Sequence, residues 1–115
     1  MIDFKKLCLS IKVALRGLKT AIFEEQSFKI QFAIGIFVVF LMFYFPLSGL
    51  EKAILVLTII LVLSLELINS QIERILDFLE PNHNSKIRKI KDLSAAAVLL
   101  VCFGAVIIGL FIFWT

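Results

Sequence analysis

Four polar residues recur along one segment of the chain at the spacing of a helix face. They stand at positions i, i+3, i+7 and i+11, as Glu66, Asn69, Glu73 and Asp77, and we call them the acidic stripe. At about 100° per residue they fall within roughly 80° of arc, and the stripe extends about 16 Å along the helix axis. Because neighbouring carboxylates repel one another, the stripe needs a cation. A divalent metal or a metal–nucleotide complex is the natural one.

Of the four residues in the acidic stripe, Glu66 costs the most free energy to bury in a membrane. It directly follows the largely apolar run 61–65, and a carboxylate at that depth in a membrane costs at least ~2.5 kcal/mol. We therefore expect Glu66 to face a water-filled cleft, where it acts as general base on the hydroxyl of a lipid headgroup. Two other interpretations stay open. In the first, Glu66 is a buried carboxyl group that is hydrogen-bonded to a neighbouring helix. In the second, Glu66 is the proton or cation site of a small ion-coupled transporter.

Further charged groups stand before the first and third apolar runs. Glu24 and Glu25 precede the first run, and close to Glu73 they would complete an oxygen shell for Mg²⁺, although an isolated pair of this kind is most often solvated. Lys91 and Asp92 open the third run and add a cation for phosphates and another acid. Phosphoryl transfer requires such parts, namely a divalent metal, a positive charge and a residue that orients the attacking hydroxyl.

The composition predicts an all-α integral membrane protein. The chain has 115 residues, 61% of them hydrophobic, and a mean hydropathy of +1.04, which is too apolar for a soluble domain of this size. Three apolar runs predict transmembrane helices at 30–50, 53–78 and 92–114. Each is long enough to cross a hydrocarbon core of about 30 Å. No repeat divides the chain, so we expect residues 1–115 to form a single membrane domain.

An amphipathic surface helix is predicted at 1–28, ahead of the first span. Apolar residues recur there at spacings of three and four with basic residues between them, which suits an anionic membrane surface. Basic residues also cluster between the second and third spans, whereas the turn marked by Pro46, Ser48 and Gly49 is followed only by Lys52. The positive-inside rule then predicts a cytoplasmic N-terminus and an external C-terminus.

Other classes of site are missing from the sequence. There is no GxxxxGK-Ser/Thr loop and no HRD or DFG pattern. Cys8 and Cys102 form no metal-ligand pattern, and His83 is the single histidine. Basic residues do not interleave with aromatic ones in a soluble module, so we expect no nucleic-acid partner.

The run Glu66-Leu-Ile-Asn-Ser-Gln-Ile-Glu-Arg-Ile-Leu-Asp77 resembles the signature of the prokaryotic diacylglycerol kinase and undecaprenol kinase family, a group of small three-span membrane enzymes. Gly17-Leu18, Glu24-Glu25-Gln-Ser-Phe-Lys-Ile30 and Lys91-Asp92-Leu-Ser-Ala-Ala-Ala-Val98 support the resemblance, which covers nearly the whole chain. It implies a multi-pass protein of the bacterial inner membrane. It also implies a homotrimer that phosphorylates a membrane lipid alcohol with MgATP, with active sites between subunits.

The resemblance implies roles for individual residues. Glu66 matches the catalytic base, and Glu25 and Glu73 match the metal-binding glutamates. The expected ATP-binding residues are Lys6, Glu25, Asn69, Glu73, Asp77, Asn82, Asn84, Lys91 and Asp92. The chain departs from the family at Asn82-His83-Asn84, where members carry Glu-Tyr-His. The run from Glu24 to Ile30 looks more like the undecaprenol kinase branch, which places undecaprenol slightly ahead of diacylglycerol as the acceptor.

Overall fold

The computed structural model describes residues 2–82 and 84–114, and every regular element in them is an α-helix. The helices are α1 (Phe4–Glu24), α2 (Gln26–Tyr44), α3 (Gly49–Leu79) and α4 (Ser85–Phe113). By length and composition, α2, α3 and α4 can each cross a membrane. The predicted all-α fold with three spans is therefore confirmed, while His83 lies outside the described residues.

α1 lies in the segment for which a surface helix is predicted. Asp3 caps its N-terminus by accepting a hydrogen bond from the backbone amide of Lys6 at 3.2 Å. Its side chains are almost all exposed, apolar ones included, and only Ala21 is buried. Such uncovered apolar side chains suit a helix that lies on a membrane surface. The prediction that this helix reaches residue 28 is wrong, because Glu25 leaves the helical region of backbone space (φ −106°, ψ 110°).

The turn between α2 and α3 lies where Pro46 and Ser48 predict it, but the helices on either side have other bounds than the predicted spans. α2 does not reach residue 50 but ends at Tyr44, because the proline two positions later restricts Phe45 to an extended backbone (φ −87°, ψ 149°). α3 begins at Gly49 rather than at residue 53. Its start is set by a capping box, in which the Ser48 hydroxyl accepts from the backbone amide of Glu51 at 3.1 Å and the Glu51 carboxylate accepts from that of Ser48 at 2.9 Å.

α4 also begins earlier than the predicted residue 92. Asn84 is its N-cap, since its side-chain oxygen accepts a hydrogen bond from the backbone amide of Ile87 at 2.9 Å. Lys91 and Asp92 therefore lie within the helix and not at its entrance. An N-cap of this kind adds nearly two turns of helix before the apolar part of the span begins.

α3 is the central helix and contacts both α2 and α4. Near the α2–α3 turn, Met42, Leu55 and Ile112 form a buried cluster that joins the three spans. α2 comes very close to α3 at Gly35, where a Cβ would lie 3.2 Å from Ile59 Cγ2. Most other large apolar side chains face outward, as lipid or a further protein surface requires. The packing thus sets the middle and the end of the acidic stripe beside α4.

Candidate active site

Glu66 is the most buried member of the acidic stripe, with 4% of its surface exposed. Within the part of the chain that the structure describes, Glu66 makes no hydrogen bond or ion pair. Yet no fully buried side-chain nitrogen or oxygen in that part lacks a partner, so the carboxylate oxygens keep a small accessible surface. Glu66 is therefore an almost fully buried carboxylate whose oxygens are not completely enclosed.

Asn69 and Glu73 are linked by hydrogen bonds that extend to α4. Ser94 Oγ lies 2.7 Å from Asn69 Oδ1, and Asn69 Nδ2 lies 3.4 Å from Glu73 Oε1. An ionised carboxylate only accepts, so the amide nitrogen of Asn69 must face Glu73 and its carbonyl oxygen must face Ser94. The Ser94 hydroxyl then donates. The result is a row of two hydrogen bonds that point the same way, in which Ser94 donates to Asn69 and Asn69 donates to Glu73.

Asp77, at the end of the stripe furthest from Glu66, is joined to α4 by an ion pair. Its Oδ1 lies 2.5 Å from Lys91 Nζ, with 54% of the Asp77 side chain and 26% of the Lys91 side chain exposed. Lys91 therefore places a positive charge beside the last member of the acidic stripe.

Glu25 is joined to α3 by Arg74, a residue that the sequence did not single out. Arg74 Nε donates to Glu25 Oε1 at 2.7 Å, and its Nη2 lies 2.6 Å from the same oxygen. Arg74 Nη2 also donates to Glu24 Oε1 at 3.3 Å. These contacts hold the α1–α2 junction against α3, one residue beyond Glu73.

Within residues 2–82 and 84–114, the remaining predicted ATP-binding residues make no hydrogen bond or ion pair with the stripe. Lys6 is exposed on α1, Asn82 is exposed in the turn before α4, and Asp92 is exposed on α4. Asn84 serves as the N-cap of α4. A single chain therefore gathers Glu25, Glu66, Asn69, Glu73, Asp77 and Lys91 along α3 and leaves these four apart.

The carboxylates fit a metal–nucleotide complex better than a metal held by protein alone. Among the described residues no group of three or more His, Cys, Asp or Glu side chains is placed to hold a metal ion. Mg²⁺ commonly binds through one or two carboxylates together with substrate phosphates and water. Glu25 and Glu73 are the two carboxylates predicted for that role. Glu25 is paired with Arg74, and Glu73 accepts a hydrogen bond from Asn69.

Comparison with known proteins places the chain in a family. The profile described as prokaryotic diacylglycerol kinase matches residues 12–113. A diacylglycerol kinase of Helicobacter pylori is 36% identical over 97% of this chain and 80% of its own length. One of Synechocystis is 34% identical over 90% of this chain and 59% of its own length. One of Escherichia coli K12 is 23% identical over 97% of this chain and 92% of its own. The chain therefore belongs to the prokaryotic diacylglycerol kinase family of membrane lipid kinases.

Proposed function

We propose that this protein transfers the γ-phosphate of MgATP to the hydroxyl of a membrane lipid, with Glu66 as general base. The observation that carries the proposal is the position of Glu66, which is buried in the apolar part of α3 but not completely enclosed. The same helix continues through Asn69 and Glu73 to the Asp77–Lys91 ion pair. One helix face thus passes from a site suited to a lipid hydroxyl to one suited to phosphates. Membership of a lipid kinase family supports the same reaction.

In the proposed reaction the lipid hydroxyl oxygen attacks the γ-phosphorus while its proton passes to Glu66. The bond from the γ-phosphorus to the β–γ bridging oxygen breaks, ADP leaves, and Glu66 returns the proton to water. Mg²⁺, when bound, offsets the negative charge of the phosphates. Glu73 and Glu25 would hold the metal, and Lys91 would neutralise phosphate charge.

An apolar cleft of about 380 Å³ supports a lipid as the acceptor. It lies between α2, α3 and α4, and Val62, one helical turn before Glu66, lines it together with Gly35 and Gly109. Gln31 Nε2 donates to Cys102 Sγ at 3.4 Å in its wall. We propose that the hydrocarbon chain of the substrate lies in this cleft with its hydroxyl directed to Glu66.

Diacylglycerol and undecaprenol are the two acceptors that we propose to compare. Diacylglycerol is supported by the names of the relatives, and undecaprenol by the run from Glu24 to Ile30. Purified protein is given MgATP and each lipid alcohol in turn, and phosphate transfer is followed. Preference for undecaprenol would set this chain apart from the relatives named above.

Replacing Glu66 by glutamine tests the reaction itself. We expect Glu66→Gln to abolish transfer while ATP binding survives, because glutamine keeps the side-chain shape but accepts no proton. Glu80→Gln, at the C-terminus of the same helix, is the matched control and should retain activity. Full activity in Glu66→Gln would refute the assignment of the base. Proton-driven uptake of a solute into vesicles, without transfer to any lipid, would support the transporter instead.

We further propose that the protein assembles as a homotrimer. α4 exposes large apolar side chains along much of its length, among them Leu99, Leu100 and Phe103. A neighbouring subunit would also bring Lys6, Asn82, Asn84 and Asp92 to the nucleotide, since one chain leaves them apart from the stripe. Light scattering of the detergent-solubilised protein tests the assembly.

For the membrane orientation we propose a cytoplasmic N-terminus, a cytoplasmic α3–α4 loop and an external C-terminus, in the bacterial inner membrane. The distribution of Lys and Arg along the chain supports this orientation. Single cysteines introduced at the two ends of α4 and labelled with an impermeant reagent on intact cells test it. Only the cysteine at the C-terminal end should react.

A further inference from the structure

The junction between α1 and α2 consists of one residue, Glu25, whose side chain caps neither helix. Glu25 closes α1 and precedes α2, with an extended backbone (φ −106°, ψ 110°), but its side chain makes no capping hydrogen bond to α2. A carboxylate at that position would ordinarily accept from the first free amides of the helix. Here Arg74 holds it instead.

The contacts of Arg74 are unequal. Its Nε and Nη2 lie 2.7 Å and 2.6 Å from Glu25 Oε1, whereas Nη2 lies 3.3 Å from Glu24 Oε1. The Glu25 side chain is 22% exposed, against 60% for Glu24. Arg74 therefore binds the inner carboxylate tightly and touches the outer one, so a short shift of the guanidinium would place it on Glu24 alone.

We propose that Arg74 is a built-in cation that competes with the divalent metal for Glu25. This inference rests on the proposed function, in which Glu25 is a metal ligand. A guanidinium and a divalent ion repel each other when both approach one carboxylate oxygen. A metal on Glu25 should therefore weaken the Arg74–Glu25 pair, and Glu24 provides the guanidinium with its next partner. The negative charge of Glu25 is thus balanced by Arg74 until the metal binds.

Binding of the Mn²⁺ complex of a non-hydrolysable ATP analogue to the purified full-length protein tests this competition. Binding is followed by electron paramagnetic resonance of the Mn²⁺ during a titration. Arg74→Gln should bind this complex about threefold to fivefold more tightly than the wild type, a size in keeping with a half-exposed ion pair. Arg74→Lys keeps the charge and should stay near the wild type. Unchanged or weaker binding in Arg74→Gln would overturn the inference.

Two further variants separate this competition from general electrostatics and from the proposed function. Arg88→Gln removes a positive charge that has no described contact with Glu24 or Glu25, and an equal gain there would overturn the inference. In a Glu25→Gln background the gain from Arg74→Gln should disappear. If Glu25→Gln alone leaves Mn²⁺ binding unchanged, the metal-ligand assignment of Glu25 fails as well. If it weakens binding but Arg74→Gln brings no gain, only the competition is refuted.

Discussion

Replacing Ser94 by alanine removes the hydroxyl that fixes the orientation of Asn69. The Ser94 Oγ–Asn69 Oδ1 distance is 2.7 Å, and both side chains are partly buried. Losing this bond leaves the Asn69 carbonyl oxygen without its donor, at a cost of about 1–3 kcal/mol for a fully buried group. Because this one is only half-buried, we take about 1–1.4 kcal/mol. That corresponds to a fall of roughly fivefold to tenfold in kcat/KM for MgATP.

The assay is steady-state phosphate transfer in mixed micelles, with thermal unfolding measured on the same samples. Ser94→Thr keeps the hydroxyl and should keep most of the activity. Ser64→Ala removes a hydroxyl of α3 that has no described bond to the stripe, and it serves as the control. If Ser94→Ala stays within twofold of the wild type, the row of hydrogen bonds does not orient Glu73. An equal loss from Ser94→Ala in an Asn69→Ala background would show that Ser94 acts elsewhere.

Two other perturbations test separate parts of the structure. Glu73→Gln should raise the KM for MgATP and weaken Mn²⁺ binding together, each by roughly tenfold or more, and a change in only one of them would contradict a shared metal and nucleotide role. Ser48→Ala breaks the capping box of α3 and should lower the unfolding free energy by about 1 kcal/mol while kcat/KM stays unchanged. A loss of activity without a loss of stability would refute a purely structural role for Ser48.

Patterns local to one helix could be predicted from the sequence. The apolar runs located the three spans, and the spacing from Glu66 to Asp77 located one helix face, because both depend only on helix periodicity. The start of α3 at Gly49 was also readable in principle, since Ser48 and Glu51 have the spacing of a capping box. The prediction followed hydropathy there and placed the start too late.

Contacts between helices could not be predicted in the same way. Arg74 reads as an ordinary basic residue near a membrane surface until the fold brings the α1–α2 junction beside it. In the sequence, Ser94 looks like a small residue of a packing surface, and only the contact between α4 and α3 shows that it bonds Asn69. Both depend on how two helices are rotated about their axes, and one apolar sequence is compatible with several rotations.

The row from Ser94 to Glu73 has a consequence for where protons can travel. Asn69 stands between Glu66 and Glu73 on α3, and its amide donates hydrogen bonds without ionising near neutral pH. No hydrogen bond joins Glu66 to Asn69 among the described residues, so the row from Ser94 to Glu73 offers no path for a proton that Glu66 accepts. In the proposed reaction the two carboxylates of one helix therefore have separate roles. One of them can gain and lose a proton in every turnover while the other keeps its negative charge for the metal.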